Sequence, residues 1–143
     1  MKRAVPILLV SVLALSLLAG CGLDPKTEIN AVLDQYAAAF KAEDIVAMGE
    51  TLDDTVTTVH SDGTSATNPR STYLAAMGVA FAFVQVTDFQ ILNRQIAVAG
   101  DTADVVATVR LAGYGTNGFS DKSSPGEIWL AKRQDGWKIF KLR

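Results

Sequence analysis

The stretch Glu127–Arg143, EIWLAKRQDGWKIFKLR, decides the fold of this chain. Asp135-Gly136 divides it into two runs rich in Ile, Trp, Phe and Leu, and an Asp-Gly pair supplies the positive φ that a tight hairpin turn requires. Side chains of a strand alternate between its two faces, and the second run carries apolar residues on both. The pattern therefore predicts a β-hairpin whose last strand lies inside a sheet rather than at its edge.

The N-terminus has the pattern of a secretory signal. Met1-Lys2-Arg3 is basic, and the apolar stretch Ala4–Ala19 is too short and wrongly flanked for an ordinary spanning helix. Leu18-Ala19-Gly20-Cys21 resembles the bacterial lipobox. That resemblance implies that the chain is cut before Cys21 and that Cys21 is then lipidated.

Cys21 is also the only cysteine, so its lipidation would leave neither a disulfide nor a catalytic thiol. We expect a signal peptide at residues 1–20, a lipidated tether at 21–26 and one domain at 27–143. The anchor places the protein on the extracytoplasmic side of a bacterial cell envelope. Gly22 after the lipidated position favours the outer membrane in a diderm.

Composition excludes several classes of partner. The formal net charge is −2, and removal of Lys2 and Arg3 makes the mature chain more acidic, so no basic stripe offers a nucleic-acid site. One histidine and no free cysteine predict no metal site. Gly113–Gly118 has the spacing of a dinucleotide motif, but a strand follows where a helix N-terminus is needed, so we expect no cofactor.

Three helices are predicted ahead of, or between, the strands. Asp24-Pro25 provides an N-cap and first helical residue, followed by an apolar stripe with helical spacing over Ile29–Phe40. A shorter helix starts at Ala42-Glu43-Asp44 and runs to about Glu50. Asn68-Pro69 repeats the cap-and-proline signal for a third helix that ends near Ala82.

The rest of the chain is strand-like. Thr55–Ser61 is β-branched and alternating, Phe83–Val98 predicts a strand with a bulge near Asp88 or Asn93, and Asp104–Tyr114 predicts a long strand. Gly113–Gly126 is predicted to be a glycine- and serine-rich loop that leads to the closing hairpin. Helices on one face of a mostly antiparallel sheet make the class α+β.

Several local motifs accompany this order of elements, and they are Leu52-Asp53-Asp54-Thr55-Val56, His60-Ser61-Asp62-Gly63, Arg70, Gly100-Asp101-Thr102-Ala103 and Asp135-Gly136-Trp137-Lys138-Ile139. With the opening helix, they resemble the NTF2-like (SnoaL-like) superfamily over nearly all of the mature chain. The resemblance implies a cone in which a strongly curved sheet wraps around the long first helix, with a cavity at one end and the final strand between the first and fifth. Members include isomerases, cyclases, dehydratases and non-catalytic proteins, so the fold does not decide the function.

Few residues are candidates for chemistry. His60 could act as a general acid or base, oriented by Asp62 or Asp54, because an imidazole titrates near neutral pH. Aromatic side chains with polar tips suit a small-molecule pocket. The candidates for lining it are Tyr36, His60, Tyr73 and Trp129.

We expect a lipid-anchored, non-catalytic domain that binds a small apolar or amphipathic molecule or a protein partner. The alternative is an enzyme of the isomerase, cyclase or hydratase type that uses His60 with a nearby Asp. A homodimer formed through the sheet face is a third hypothesis, and a wide apolar patch on that face would favour it.

Overall fold

The computed structural model describes residues 22–143, so Cys21 and the predicted signal segment lie outside the described residues. The described part is α+β, as the sequence predicts. Along the chain its elements are α1 Pro25–Lys41, α2 Ile45–Thr51, β1 Leu52–Val59, β2 Ser65–Pro69, α3 Arg70–Phe83, β3 Gln85–Ala99, β4 Thr102–Gly115, β5 Gly118–Arg133 and β6 Gly136–Leu142.

The helices begin where their local chemistry allows. Pro25 is the first residue of α1, where its missing N–H costs nothing, and Asp24 precedes it as the N-cap. The predicted apolar stripe is buried at Ile29, Leu33 and Tyr36. α2 begins later than predicted because the Asp44 carboxylate accepts the N–H groups of the first turn and fixes the start of the helix there.

The six strands form one sheet in the order β2-β1-β6-β5-β4-β3. β6 pairs antiparallel with β5 and parallel with β1, so the final strand lies inside the sheet, as its two apolar faces predict. The sheet packs against α1, and its inward-facing residues join the helix stripe in one core.

One prediction for the strands is wrong, and one strand was not predicted. Gly113–Gly126 is not a loop, because β4 and β5 pair without a register shift from Thr102 opposite Ala131 to Gly115 opposite Gly118, which leaves Thr116-Asn117 as the turn. β2 was not predicted, because it lacks apolar alternation. It forms as an exposed edge strand paired with β1, and Pro69 ends it instead of opening a helix.

Bulges set which side chains face inward. β3 is irregular between Val86 and Asp88 and between Leu92 and Gln95, so the sequence predicted one bulge near Asp88 or Asn93 and the structure has an irregularity at both places. In β6 an irregularity at Phe140 leaves Lys141 opposite Trp129 on the outer face of the sheet. The strict alternation predicted for the last strand therefore holds only as far as Ile139.

The molecule has two ends, which the packing of α1 defines. At the proximal end, Glu28 in the first turn of α1 contacts Lys132 and Trp137 of the β5–β6 hairpin. At the distal end, Glu43 just beyond α1 bonds the backbone of Val86, where β3 begins. α1 has 17 residues, so at 1.5 Å per residue about 25 Å separates its two ends.

Candidate functional site

An aromatic cluster fills the core between α1, α3 and β3. The Tyr36 and Tyr73 hydroxyls lie 3.1 Å apart and share a hydrogen bond. Phe40 stacks on Phe89 with ring centroids 4.0 Å apart and meets Phe81 edge-on at 5.2 Å. Two of the predicted pocket residues, Tyr36 and Tyr73, are thus brought together, with Tyr36 buried in the core and the half-buried Tyr73 packed against it.

Burial controls the acid–base behaviour of this tyrosine pair. It raises the pKa of Tyr36 well above the ordinary value for a phenol, and the charge and hydrogen bond of Tyr73 raise it further. Burial also raises the pKa of Tyr73, and the hydrogen bond with Tyr36 offsets only part of this rise. Both phenols therefore remain protonated at neutral pH and act as hydrogen-bonding groups rather than as bases.

A cleft of about 430 Å³ opens at the distal end, directly above the aromatic cluster. We call it the distal cleft. Phe81 belongs to both the cluster and the cleft lining, while Phe83 and Tyr114 remain 67% and 54% exposed at its mouth. Its lining consists of Glu43, Phe81, Ala82, Phe83, Val84, Gln85, Tyr114, Gly115 and Thr116.

Glu43 supplies the one ionisable acid among the residues that line the distal cleft. It has a positive φ of 57°, a conformation uncommon outside glycine, and its own N–H donates to the carbonyl of Phe40. Its carboxylate accepts the N–H of Val86 at 2.6 Å. The turn after α1 thus holds a carboxylate oxygen against the start of β3 and leaves the group in the lining of the cleft beside its aromatic side chains.

A second cleft, of about 450 Å³, lies at the proximal end between the start of β1, the start of α3 and the β5–β6 turn. Its charges are paired. Arg133 binds Asp53 through Nε and Nη2, Arg70 lies 3.5 Å from Asp54, and Lys138 lies 3.1 Å from Asp135. The neighbouring carboxylates Asp53 and Asp54 therefore diverge to different arginines.

The electrostatics of Asp53 follow from this pairing. Burial raises the pKa of its carboxyl, but the hydrogen bonds from Arg133 and from the Asp54 amide, with the charges of Arg133 and Arg70, outweigh it and leave the pKa below its usual value. Asp53 is thus ionised at neutral pH and serves as an anchor for the hairpin.

His60 lies apart from both clefts. It is exposed in the turn between β1 and β2, where its N–H donates to Thr64 and its carbonyl accepts from Gly63. The Asp62 carboxylate is bound by the amide and hydroxyl of Thr64, which lower its pKa. Asp54 is six residues back along the same chain, roughly 20 Å in extended conformation. Among residues 22–143, no hydrogen bond or salt bridge joins the imidazole to Asp62 or Asp54, although the charge of His60 also lowers the pKa of Asp62.

Trp129, predicted to line the same pocket as Tyr36, lies on the opposite face of the sheet. Its neighbours Ile128 and Leu130 are buried in the core, so alternation along β5 turns Trp129 outward. Lys141 lies over its ring at 4.2 Å from the centroid. This placement corrects the predicted lining.

Two further findings concern residues 22–143 alone. This part of the chain contains no group of three or more His, Cys, Asp or Glu side chains that could hold a metal ion. None of its helices has the length and apolar character needed to cross a membrane.

The sequence and the fold were compared with known proteins. No curated protein matches the chain. Among solved structures, it is similar to a protein of unknown function from Mycobacterium tuberculosis, with a TM-score of 0.71, 16% identity and coverage of 82% of this chain and 73% of that one. It is also similar to an NTF2-like protein from Cytophaga hutchinsonii, with a TM-score of 0.71, 14% identity and coverage of 84% of this chain and 96% of that one. An NTF2-like protein of unknown function in nutrient uptake from Rhodospirillum rubrum has a TM-score of 0.66, 18% identity and coverage of 80% of this chain and 93% of that one.

At such identities these likenesses establish the fold, and they confirm the NTF2-like cone that the sequence resemblance implies. The model of the SnoaL-like domain matches residues 29–142, from the first buried residue of α1 to the end of β6. The chain therefore belongs to the SnoaL-like domain family.

Proposed function

We propose that this domain is a non-catalytic binding module that takes a small apolar or amphipathic molecule in the distal cleft. The observation that carries the proposal is the group of exposed aromatic side chains there. Phe83 and Tyr114 stay more than half exposed around a cleft of about 430 Å³ whose floor includes Phe81. Ligand sites are commonly apolar concavities of 300–1,000 Å³ with a few polar groups.

The polar group at this cleft indicates which molecules it would prefer. Glu43 is the ionisable acid of the lining, and none of the lining residues is basic. A carboxylate beside an apolar surface attracts a cationic or hydrogen-bond-donating head group and repels an anionic one. The ligand class is therefore an amphipathic molecule with a neutral or positively charged polar end.

Placement of the ionisable groups favours binding over catalysis. An acid–base enzyme needs at least two titratable groups that converge within hydrogen-bond reach of a substrate. His60 is in an exposed turn, Asp54 pairs with Arg70 in the proximal cleft, and the protonated Tyr36 is inside packed core. Asp62 lies in the same turn as His60, but its carboxylate is bound by the amide and hydroxyl of Thr64. Asp54 and Tyr36 lie elsewhere in the fold.

The proposal includes a lipid anchor at Cys21 on the extracytoplasmic side of a bacterial membrane. The basic start Met1-Lys2-Arg3, the apolar stretch before Cys21 and the small residues that precede it support this. Gly22 adjoins the proximal end, about 25 Å of α1 lies between that end and the distal cleft, and the cleft would open away from the membrane.

Binding is tested with the fluorescent apolar dye Nile red added to the purified full chain. The dye should gain fluorescence with wild type, and Phe83→Ser should weaken its binding at least about tenfold, because the exposed ring lines the cleft and little of the core. Val106→Ser is the control, since Val106 is 52% exposed but lies outside the lining. Equal effects of the two substitutions would contradict the proposal.

Anchoring is tested by fractionation of cells that express the chain. Wild type should sediment with membranes and Cys21→Ser should become soluble, because several acyl chains give stable attachment. Persistence of the Cys21→Ser variant in membranes would overturn the lipoprotein assignment without bearing on the cleft.

A further inference from the structure

Half of β5 has a partner on one side only. β4 pairs with β5 along its whole length, but β6 covers β5 only from Ile128 to Arg133, extended by one backbone pair between Glu127 and Arg143. Within residues 22–143, no strand pairs with residues 119–125 on the side away from β4. We call residues 119–125 the open edge, and its side chains are all exposed.

The phase of the hydrogen bonds shows which backbone groups face outward. Glu127 exchanges both backbone hydrogen bonds with Arg143, at 3.1 and 2.9 Å, so its N–H and C=O point away from β4. Successive residues of a strand point these groups to alternate sides, and β5 has no register shift against β4. The N–H and C=O groups of Phe119, Asp121 and Ser123 therefore point into solvent, with the carbonyl of Pro125.

We propose that the open edge binds an extended segment of a partner protein as an additional β-strand. Unpaired donors and acceptors at strand spacing are matched by the backbone of another strand, which is how sheet edges take up peptides. Because Pro125 has no N–H, the open edge lacks only the outward donor nearest β6. The N–H groups of Phe119, Asp121 and Ser123 remain available.

The charges on the edge specify the partner's chemistry. Asp121 is already neutralised, because Arg110 donates from Nε at 2.9 Å and from Nη2 at 2.6 Å to its two carboxylate oxygens. Lys122 is exposed and has no salt bridge to any residue between 22 and 143. A carboxylate directly opposite Lys122 is therefore the favoured cross-strand neighbour.

The same charge argues against a second copy of this chain as the occupant. An antiparallel pairing of two open edges that uses their full length is centred on Lys122. It would place the two lysines directly opposite each other, and like charges in such pairs are destabilising. Lysine at an edge is a common device against self-association.

An apolar contact completes the recognition pattern. Phe119 and Tyr114 are directly opposite across β4 and β5, with centroids 5.2 Å apart, and both are more than half exposed. Lys122 and Phe119 are three residues apart and so lie on opposite faces of β5. An antiparallel partner would carry an acidic residue and, three positions later, an apolar one.

The test uses the full chain and a fluorescein-labelled extended peptide of Thr and Val that carries Asp and, three positions later, Phe. We expect saturable binding by fluorescence anisotropy. Binding should fall at least about tenfold when Lys replaces the peptide's Asp. The Lys122→Glu variant should reverse the preference between these two peptides.

A backbone variant separates strand addition from side-chain contact. Ser123→Pro removes an outward N–H without breaking a bond to β4, and Pro125 already occupies the equivalent position two residues on. Its affinity for the peptide should be about tenfold lower than that of wild type, whereas Ser123→Ala should keep the wild-type affinity. Amide exchange at Phe119, Asp121 and Ser123 should be fast in the free chain and slow with peptide. Equal binding by wild type and Ser123→Pro, or slow exchange in the free chain, would overturn the proposal.

Discussion

The indole Nε1–H of Trp137 donates to the carboxylate of Glu28 at 3.2 Å, across 109 positions of sequence. The same oxygen of Glu28 accepts from Lys132 Nζ, also at 3.2 Å. One carboxylate in the first turn of α1 therefore bonds both strands of the closing hairpin. This contact fixes the hairpin, which holds β1 to the rest of the sheet, against the long helix.

Trp137→Ala should lower the free energy of unfolding by about 3–5 kcal/mol, because a buried indole and its hydrogen bond are both lost. Urea denaturation followed by circular dichroism measures this loss. Trp129→Ala is the matched control and should cost about 1 kcal/mol, since that ring lies on the outer face under Lys141. Equal losses in the two variants would show that the assignment of faces is wrong.

The stability should depend on pH through Asp53. Its folded pKa is depressed, so its contribution is complete above the unfolded pKa of about 3.9 and is lost as pH falls through the lower folded value. Asp53→Asn should cost about 1.5–3 kcal/mol at pH 7 and flatten the acid limb of the profile of unfolding free energy against pH.

Asp54→Asn provides the control for that experiment. The Asp54 side chain is 91% exposed, against 13% for Asp53, and lies 3.5 Å from Arg70. Its loss should change the free energy of unfolding by less than about 0.5 kcal/mol. An Asp54→Asn effect as large as that of Asp53→Asn would contradict the role given to the Arg133–Asp53 pair.

Gly113 tests the pairing of β3 with β4. A Cβ at this position would overlap the backbone carbonyl of Gln85, which cannot move as a side chain can, whereas a Cβ at Gly115 would touch only a methyl group of Val84 at 4.0 Å. Gly113→Ala should therefore destabilise the fold by about 1–3 kcal/mol and Gly115→Ala by much less. Thermal unfolding of both variants compares them, and the reverse order would exclude this register.

The charge of Glu43 should select among amphiphiles. Calorimetric titration below the critical micelle concentration should show tighter binding of dodecyltrimethylammonium than of dodecyl sulfate to the wild-type chain, because Glu43 repels the anion. Glu43→Gln keeps an oxygen that can accept the Val86 N–H, and it should reduce the difference. An unchanged preference in that variant would assign the selectivity to another group.

Much of the fold could be predicted because its signals are local. The apolar stripe of α1 and the inner position of β6 each depend on a few residues, and the structure confirms them. The closing hairpin is also present, but its turn residues are Gln134-Asp135, and Gly136, with its positive φ, begins β6. β2 and the first half of β5 could not be predicted. Their asparagine, aspartate, proline and glycine residues disfavour strands, and each segment is ordered by backbone hydrogen bonds to the strand that precedes it, β1 for β2 and β4 for β5.

The candidate site was harder to predict than the fold. The sequence identifies tyrosines but not their depth, and Tyr36 and Tyr73 meet only because α1 and α3 pack together. Glu43 belongs to no sequence motif, because its role depends on its positive φ after α1 and on the Val86 N–H that donates to its carboxylate. The exposed Phe83 at the end of a helix is the one signal that could have indicated the distal cleft.

The most direct test of the proposed function is methyl NMR of the full chain titrated with dodecyltrimethylammonium below its critical micelle concentration. The proposal predicts saturable shifts centred on the methyl groups of Ala82, Val84 and Thr116, which line the distal cleft, and no shift at Thr55 in the proximal cleft. The absence of shifts at the distal cleft, or shifts confined to the proximal one, would contradict a ligand site there.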